Sequence, residues 1–195
     1  MLSGRKNQVS IITITLMIIV LSAACKSRNT SAPPSAEEIN KSIIIPLYRS
    51  MEIEVSGRWI SVPVADRYIL LDPEYDRITM LNHIAAELSS SYFNGLKIEI
   101  GNIENNDSKG GGGMISINLA EAADYSGPGS VRPYHSWYDF FQGSAGGTNT
   151  SIILRESFLQ RTYKGEWFDS VQFSYMGEPF PESDHVQLSG IISRY

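Results

Sequence analysis

Cysteine is almost absent from this 195-residue chain, which holds only Cys25. A single thiol cannot close an internal disulfide, so stability must come from packing. Histidine is scarce too: His83, His135 and His185 fall on three different predicted elements, and none has a second histidine at helical spacing. His83 has Glu87 four residues on, a spacing that ordinarily gives a surface ion pair. His185 follows Glu182 and Asp184 in an acidic turn that could hold a hard cation only weakly; such turns are ordinarily solvated loops. No Gly-x-Ser-x-Gly elbow is present, and Cys25 lies in a segment with no catalytic partners. The four consecutive glycines at 110–113 lack the Lys-Ser/Thr ending and following helix of a phosphate cradle, so no cofactor is expected. Paired carboxylates of the glycosidase type stay open, because their spacing is spatial and not sequential. Cations are in deficit as well. Sixteen Lys and Arg against 21 Asp and Glu give a net charge of −5, which argues against nucleic acid and against electrostatic attachment to an anionic membrane. The longest uncharged apolar run, Val9–Ala24, has 16 residues, short of the roughly 20 that a membrane-spanning helix needs.

That run has a different reading. Arg5 and Lys6 precede it, and small residues, Ser22-Ala23-Ala24, close it. A basic start, a short apolar centre and a small-residue end make a secretory signal over residues 1–24. The sequence Leu21-Ser22-Ala23-Ala24-Cys25 resembles a bacterial lipobox, in which the signal is cut before the cysteine and the thiol receives a diacylglycerol. Here Ser22 stands where that motif usually has Leu. The resemblance implies lipidation of Cys25 and attachment to the outer face of the cell membrane. Cleavage by a general signal peptidase, leaving a free cysteine, and an uncleaved anchor are the alternatives. Loss of Arg5 and Lys6 with the signal takes the net charge from −5 to −7. Residues 26–41, KSRNTSAPPSAEEINK, are polar and aperiodic and read as a flexible tether. It reaches about 50–60 Å if extended and about 20–25 Å as a coil.

Residues 42–195 read as one domain. Ile43-Ile44-Ile45 opens a strand, with Pro46 suited to an edge or a bulge. Ser56-Gly57 marks a turn, after which Ile60, Val62 and Val64 alternate with Trp59, Ser61 and Pro63. The stretch LDPEYDRITMLNHIAAELSS predicts a helix capped by Asp72, with Pro73 at its first position and Ile78, Leu81, Ile84, Ala85 and Leu88 on its apolar face. Two strands follow, LKIEIGNIEN and GMISINLAEA. An irregular stretch from Asp124 to Gly147 then leads to a second helix over about 150–164, with Thr148 or Thr150 as cap and Gly165 closing it. Extended segments at SVQFSYMGEPF and HVQLSGIISR complete the chain. The expected fold is α+β, a mixed sheet with two main helices packed on one face.

The stretch from Gly146 to Arg194, with ISINLAEA before it, resembles the GerMN domain of sporulation and spore-germination proteins. The helical LQRTY, the strand VQFSYMGEP and the closing HVQLSGIISR carry the resemblance, and RWISVPVADRYI is similar to the family's opening hairpin. It covers residues 43–194. It implies a ring-building-motif-like fold and a non-catalytic module that associates with other extracytoplasmic proteins, with no catalytic residues to carry over. The aromatic stretch YHSWYDFF lies in a longer connection than family members often have at that place.

Those aromatics, Tyr134, Trp137, Tyr138, Phe140 and Phe141, have three readings. They pin a long loop as a small core of their own, form a protein interface rich in the residues common at hot spots, or stack on sugar rings of a cell-wall glycan. The sequence thus points to a lipid-anchored scaffold that docks an envelope protein, with a cell-wall glycan-binding module as the alternative and an envelope hydrolase as a further rival.

Overall fold

The computed structural model describes residues 37, 41–104 and 112–195, all within the unit Ala36–Tyr195. The signal segment, Cys25, nearly all of the proposed tether and most of the glycine-rich segment lie outside the described residues.

The architecture is α+β, a five-stranded mixed sheet accompanied by an antiparallel pair and three helices. Strands β1 (Ile43–Val55) and β2 (Arg58–Leu71) form the pair. Ser56 and Gly57 both take positive φ, 53° and 77°, the two-residue turn whose twist suits a hairpin. Residue 66 is an extra residue on β2, opposite the step from Leu47 to Tyr48, and bulges the ladder. Helix α1 (Arg77–Tyr92) comes next. Strands β3 (Lys97–Glu104) and β4 (Met114–Ala120) pair antiparallel. A crossover through the short helix α2 (Trp137–Phe140) and the long helix α3 (Ser144–Leu159) brings β5 (Ser170–Tyr175) alongside β4 in parallel. The outer edge of β5 is shared by β6 (Glu178–Pro179) and β7 (Ile191–Ser193).

Register explains the core. Ile98 and Ile100 face Leu119 and Ile117 across β3–β4, and Ile115 and Ile117 face Val171 and Phe173 across β4–β5. Cross-strand partners share a face, so one side of the sheet is apolar. It packs with Leu81, Ile84 and Leu88 of α1 and Leu154 and Phe158 of α3 in one cluster. Glu99, Ser116, Asn118, Gln172 and Ser174 fall on the other side, where Asn118 bridges Glu99 at 2.8 Å and Ser174 at 3.1 Å.

Both helix starts differ from the sequence expectation. Asp72 does not cap α1. Its carboxylate accepts from the Glu74 N–H at 2.9 Å and its carbonyl from Tyr75, a separate turn, and the cap is Asp76, which accepts from the Thr79 N–H at 2.7 Å. The sequence DPEYD offers two capping aspartates, and the later one wins. Ile78 consequently faces solvent instead of the core. Helix α3 begins at Ser144, not near Thr150, and ends at Leu159, with Gln160 in the left-handed region as C-cap in place of Gly165. Thr150 lies inside the helix and donates to the Phe140 carbonyl at 2.9 Å. The early start runs through Gly146-Gly147, poor helix formers, for a packing reason. A Cβ on Gly147 would stand 2.6 Å from the His185 carbonyl oxygen, so only glycine lets the first turns lie against that segment. The HVQLSGIISR segment forms a strand only at Ile191–Ser193.

The Thr79 N–H, and secondarily its hydroxyl, hold the Asp76 carboxyl below its ordinary value of 3.8. A depressed carboxyl stabilises the fold above its unfolded pKa and loses that contribution as pH falls through the folded value. Asp76→Ala should therefore lower the melting temperature at pH 7, and the gap from wild type should close as pH drops below 3.8. Thermal melts of both proteins across that range check it; a gap independent of pH would contradict it.

Candidate functional site

Two surfaces are candidates, the aromatic connection and the first hairpin. The aromatic connection is organised by one carboxylate. Glu121, just past β4, accepts from the Trp137 N–H at 3.0 Å, the Tyr138 N–H at 3.2 Å, the Ser136 hydroxyl at 3.1 Å and the Tyr175 hydroxyl at 2.7 Å. An anion at the start of α2 satisfies N–H groups that have no helical partner. Burial first, and then the bond to Glu121, push the Tyr175 phenol well above 10.0, so it stays a neutral donor.

Trp137, a candidate interface residue in the sequence, is 0% exposed. Its ring lies 4.7 Å from Phe93, 6.1 Å from Phe140 and 6.0 Å from Phe141, centroid to centroid, and its Nε1–H donates to the Lys97 carbonyl at 3.3 Å. Phe141 meets Tyr175 and Phe180 edge-on at 5.6 and 5.1 Å. Phe140 and Phe141 are both half-buried against the core. These rings close the end of the core and leave no tryptophan for a partner or a sugar. Only Tyr134 (56% exposed) and Tyr138 (37%) remain accessible. Tyr134 sits at positive φ, 61°, held by its N–H to Asp139 at 2.8 Å and its carbonyl to Asn94 at 3.0 Å.

The hairpin is the surface that sequence reasoning left unassigned. Helix α3 ties its root: the Tyr48 N–H donates to Ser157 Oγ at 3.0 Å, the Ser50 N–H to Asn149 Oδ1 at 3.3 Å, and Gln160 Nε2 to the Pro46 carbonyl at 2.7 Å. Positions 48 and 50 thus point their backbone groups away from β2. Cross-strand pairing then puts Met51, Ile53 and Val55 on one face with Val62, Ile60 and Arg58, and Val64 joins them beside Arg49. That face is continuous with Ile45 and Leu47, both buried at the root. Yet none of the six distal aliphatics belongs to the core cluster or packs against it, and Met51, Val55 and Ile60 are 39%, 46% and 44% exposed. The opposite face carries Glu52, Glu54, Ser61 and, near the tip, an exposed Trp59. The signal was in the sequence, as the alternation of β1 and β2, but alternation does not say where the core ends.

The remaining titratable groups disperse. His83 stacks on Tyr75 at 5.2 Å, while Glu87 accepts from Ser91. His185 Nδ1 meets Ser144 Oγ at 3.2 Å, and Glu182, Ser183, Asp184 and Ser189 line an open depression of about 580 Å³. Among the described residues, no group of three or more acidic, histidine or cysteine side chains is placed to hold a metal ion. Compared with protein-family models, with curated proteins and with solved structures, the chain matches none.

The buried and exposed aromatics should respond differently to truncation. Trp137→Ala should cost about 3–5 kcal/mol, as for other large buried rings, whereas Tyr134→Ala should stay within about 0.5 kcal/mol of wild type. Urea unfolding measures both; equal losses would contradict the assignment of Trp137 to the core.

Proposed function

We propose that this chain is a lipid-anchored extracytoplasmic assembly module without catalytic activity, held to the cell membrane by Cys25 and docked through its first hairpin. The observation that carries the reading is the aliphatic face that runs out of the core along β1–β2 and meets nothing in its own domain. Exposed contiguous apolar surface is costly to solubility, and it marks sites that another surface covers. The partner is an envelope protein, reached over the length of the tether. A net charge of −7 after signal removal disfavours nucleic acid and leaves the acyl chains as the membrane contact; the two chains of a diacylglyceryl group suffice for stable attachment. The resemblance to GerMN domains supports a scaffold role and suggests sporulation or spore germination as its setting.

Affinity capture from native membranes tests this reading. The full-length protein should retain a specific envelope partner, while Cys25→Ser should release it to the soluble fraction and Val62→Asp should abolish capture with the fold intact. Equal capture by all three would sink the proposal. The glycan-binding alternative draws on the exposed rings of Tyr134 and Tyr138. It requires Tyr134→Ala to reduce retention on cell-wall sacculi several-fold, and unchanged retention removes it.

A further inference from the structure

The apolar face of the hairpin ends in a chemical asymmetry. At its root the bulge residue Asp66 pairs with Arg49 at 2.8 Å and accepts from the Tyr92 hydroxyl at 2.7 Å. Arg67 lies 3.8 Å from Glu87 and over the Tyr92 ring at 5.9 Å. Helix α1 therefore stands over this face at the root, and two carboxylates, Asp66 and Glu87, gather there. At the tip the same face carries Arg58, opposite Val55, with no ion pair among the described residues. Between the two ends lie only aliphatic side chains.

We infer that the occupant of this face is a second copy of the chain, packed face to face and antiparallel about a two-fold axis. The inference rests on the reading of the hairpin as a docking element and names what docks. Shape favours it. A two-stranded ribbon presents a flat aliphatic face with no groove and no aromatic anchor, and flat sheet faces pack on one another about 10 Å apart. A helical or extended peptide ligand uses a groove or an open edge instead.

Direction follows from the position of α1. Parallel ribbons would drive the two copies of α1 together, whereas antiparallel ribbons place each tip over the other root. An axis at the Glu52–Ser61 row sets the Val55–Arg58 row over the Arg49–Val64 row of the other copy. Arg58 then reaches the carboxylates at Asp66 and Glu87, and the contact is made twice, as an isologous interface requires. Six aliphatic side chains and their rims give each copy roughly 400–500 Å² to bury, so the total of about 800–1,000 Å² is that of a weak, reversible pair. Confinement of both copies to one membrane would raise their effective concentration and favour the pair.

Sedimentation of the full chain carrying Cys25→Ser, so that no acyl chain contributes, tests the inference over about 1–500 μM. The expected result is a concentration-dependent dimer whose dissociation constant rises at least about tenfold in Val62→Asp, with an unchanged circular dichroism spectrum. In the same background, a mixture of Arg58→Cys and Val64→Cys proteins should crosslink through a short bis-maleimide far more than Arg58→Cys alone. A monomer throughout the range, a dimer indifferent to Val62→Asp, or Arg58→Cys crosslinking equally well alone would each overturn it. If the chain stays monomeric while Val62→Asp still abolishes capture of an envelope partner, the second copy is wrong and the docking reading survives. If neither responds, both fall.

Discussion

The arrangement depends on the point where α3 stops. Gln160 is fully buried in the left-handed conformation, and three parts of the chain meet on it. Its side-chain amide donates to the Pro46 carbonyl on β1 and to the Ser157 carbonyl of the helix, both at 2.7 Å. Its own carbonyl accepts from Arg194 Nη2 at 2.7 Å, and the same nitrogen donates to the Tyr163 carbonyl at 2.6 Å. Arg161 closes the cluster, bonding to the carbonyls of Ser193 and Arg194 and to Glu156 at 2.9 Å. A guanidinium near a helix C-terminus satisfies carbonyls that have no helical partner and is favoured there by the helix dipole. One helix end thereby fixes the root of the hairpin and the C-terminal strand against the same core.

That anchorage gives the hairpin its character. An isolated two-stranded ribbon is marginally stable in water, so a long one needs support along part of its length. Here α3 supplies it at residues 46–50, and the buried Ile45 and Leu47 supply the apolar hold. Beyond that the ladder continues to Val55–Arg58 with aliphatics on one face. The supported root keeps the exposed half in register, and the exposed half offers a docking face. Pro63 on the outgoing β2 edge removes one N–H from the row that would otherwise invite uncontrolled strand pairing, which channels association to the face.

The aromatic connection plays the opposite role. Its length and composition resemble those of a binding loop, but Glu121 gathers two backbone N–H groups and two hydroxyls and turns Trp137 inward onto Phe93. A loop of this size needs its own apolar contacts to repay the entropy of ordering it, and the rings provide them. Tyr134 and Tyr138 stay outside because the short α2 turns only one side toward the core.

Much of the architecture was legible before any coordinates. Alternation located the strands, Asn94-Gly95 closed α1, and the α+β order followed from the succession of periods. What local rules could not rank were equivalent signals: two aspartates able to cap α1, and glycines at 146–147 that read as loop yet lie within α3 because the His185 backbone leaves no room for a Cβ. By itself the sequence determined the elements and their apolar faces, since a period of two or 3.6 is a property of the local chain. Only the tertiary structure decided which apolar face meets a partner inside the domain. Met51 and Ile45 share one alternation, and what separates them is where α3 runs out.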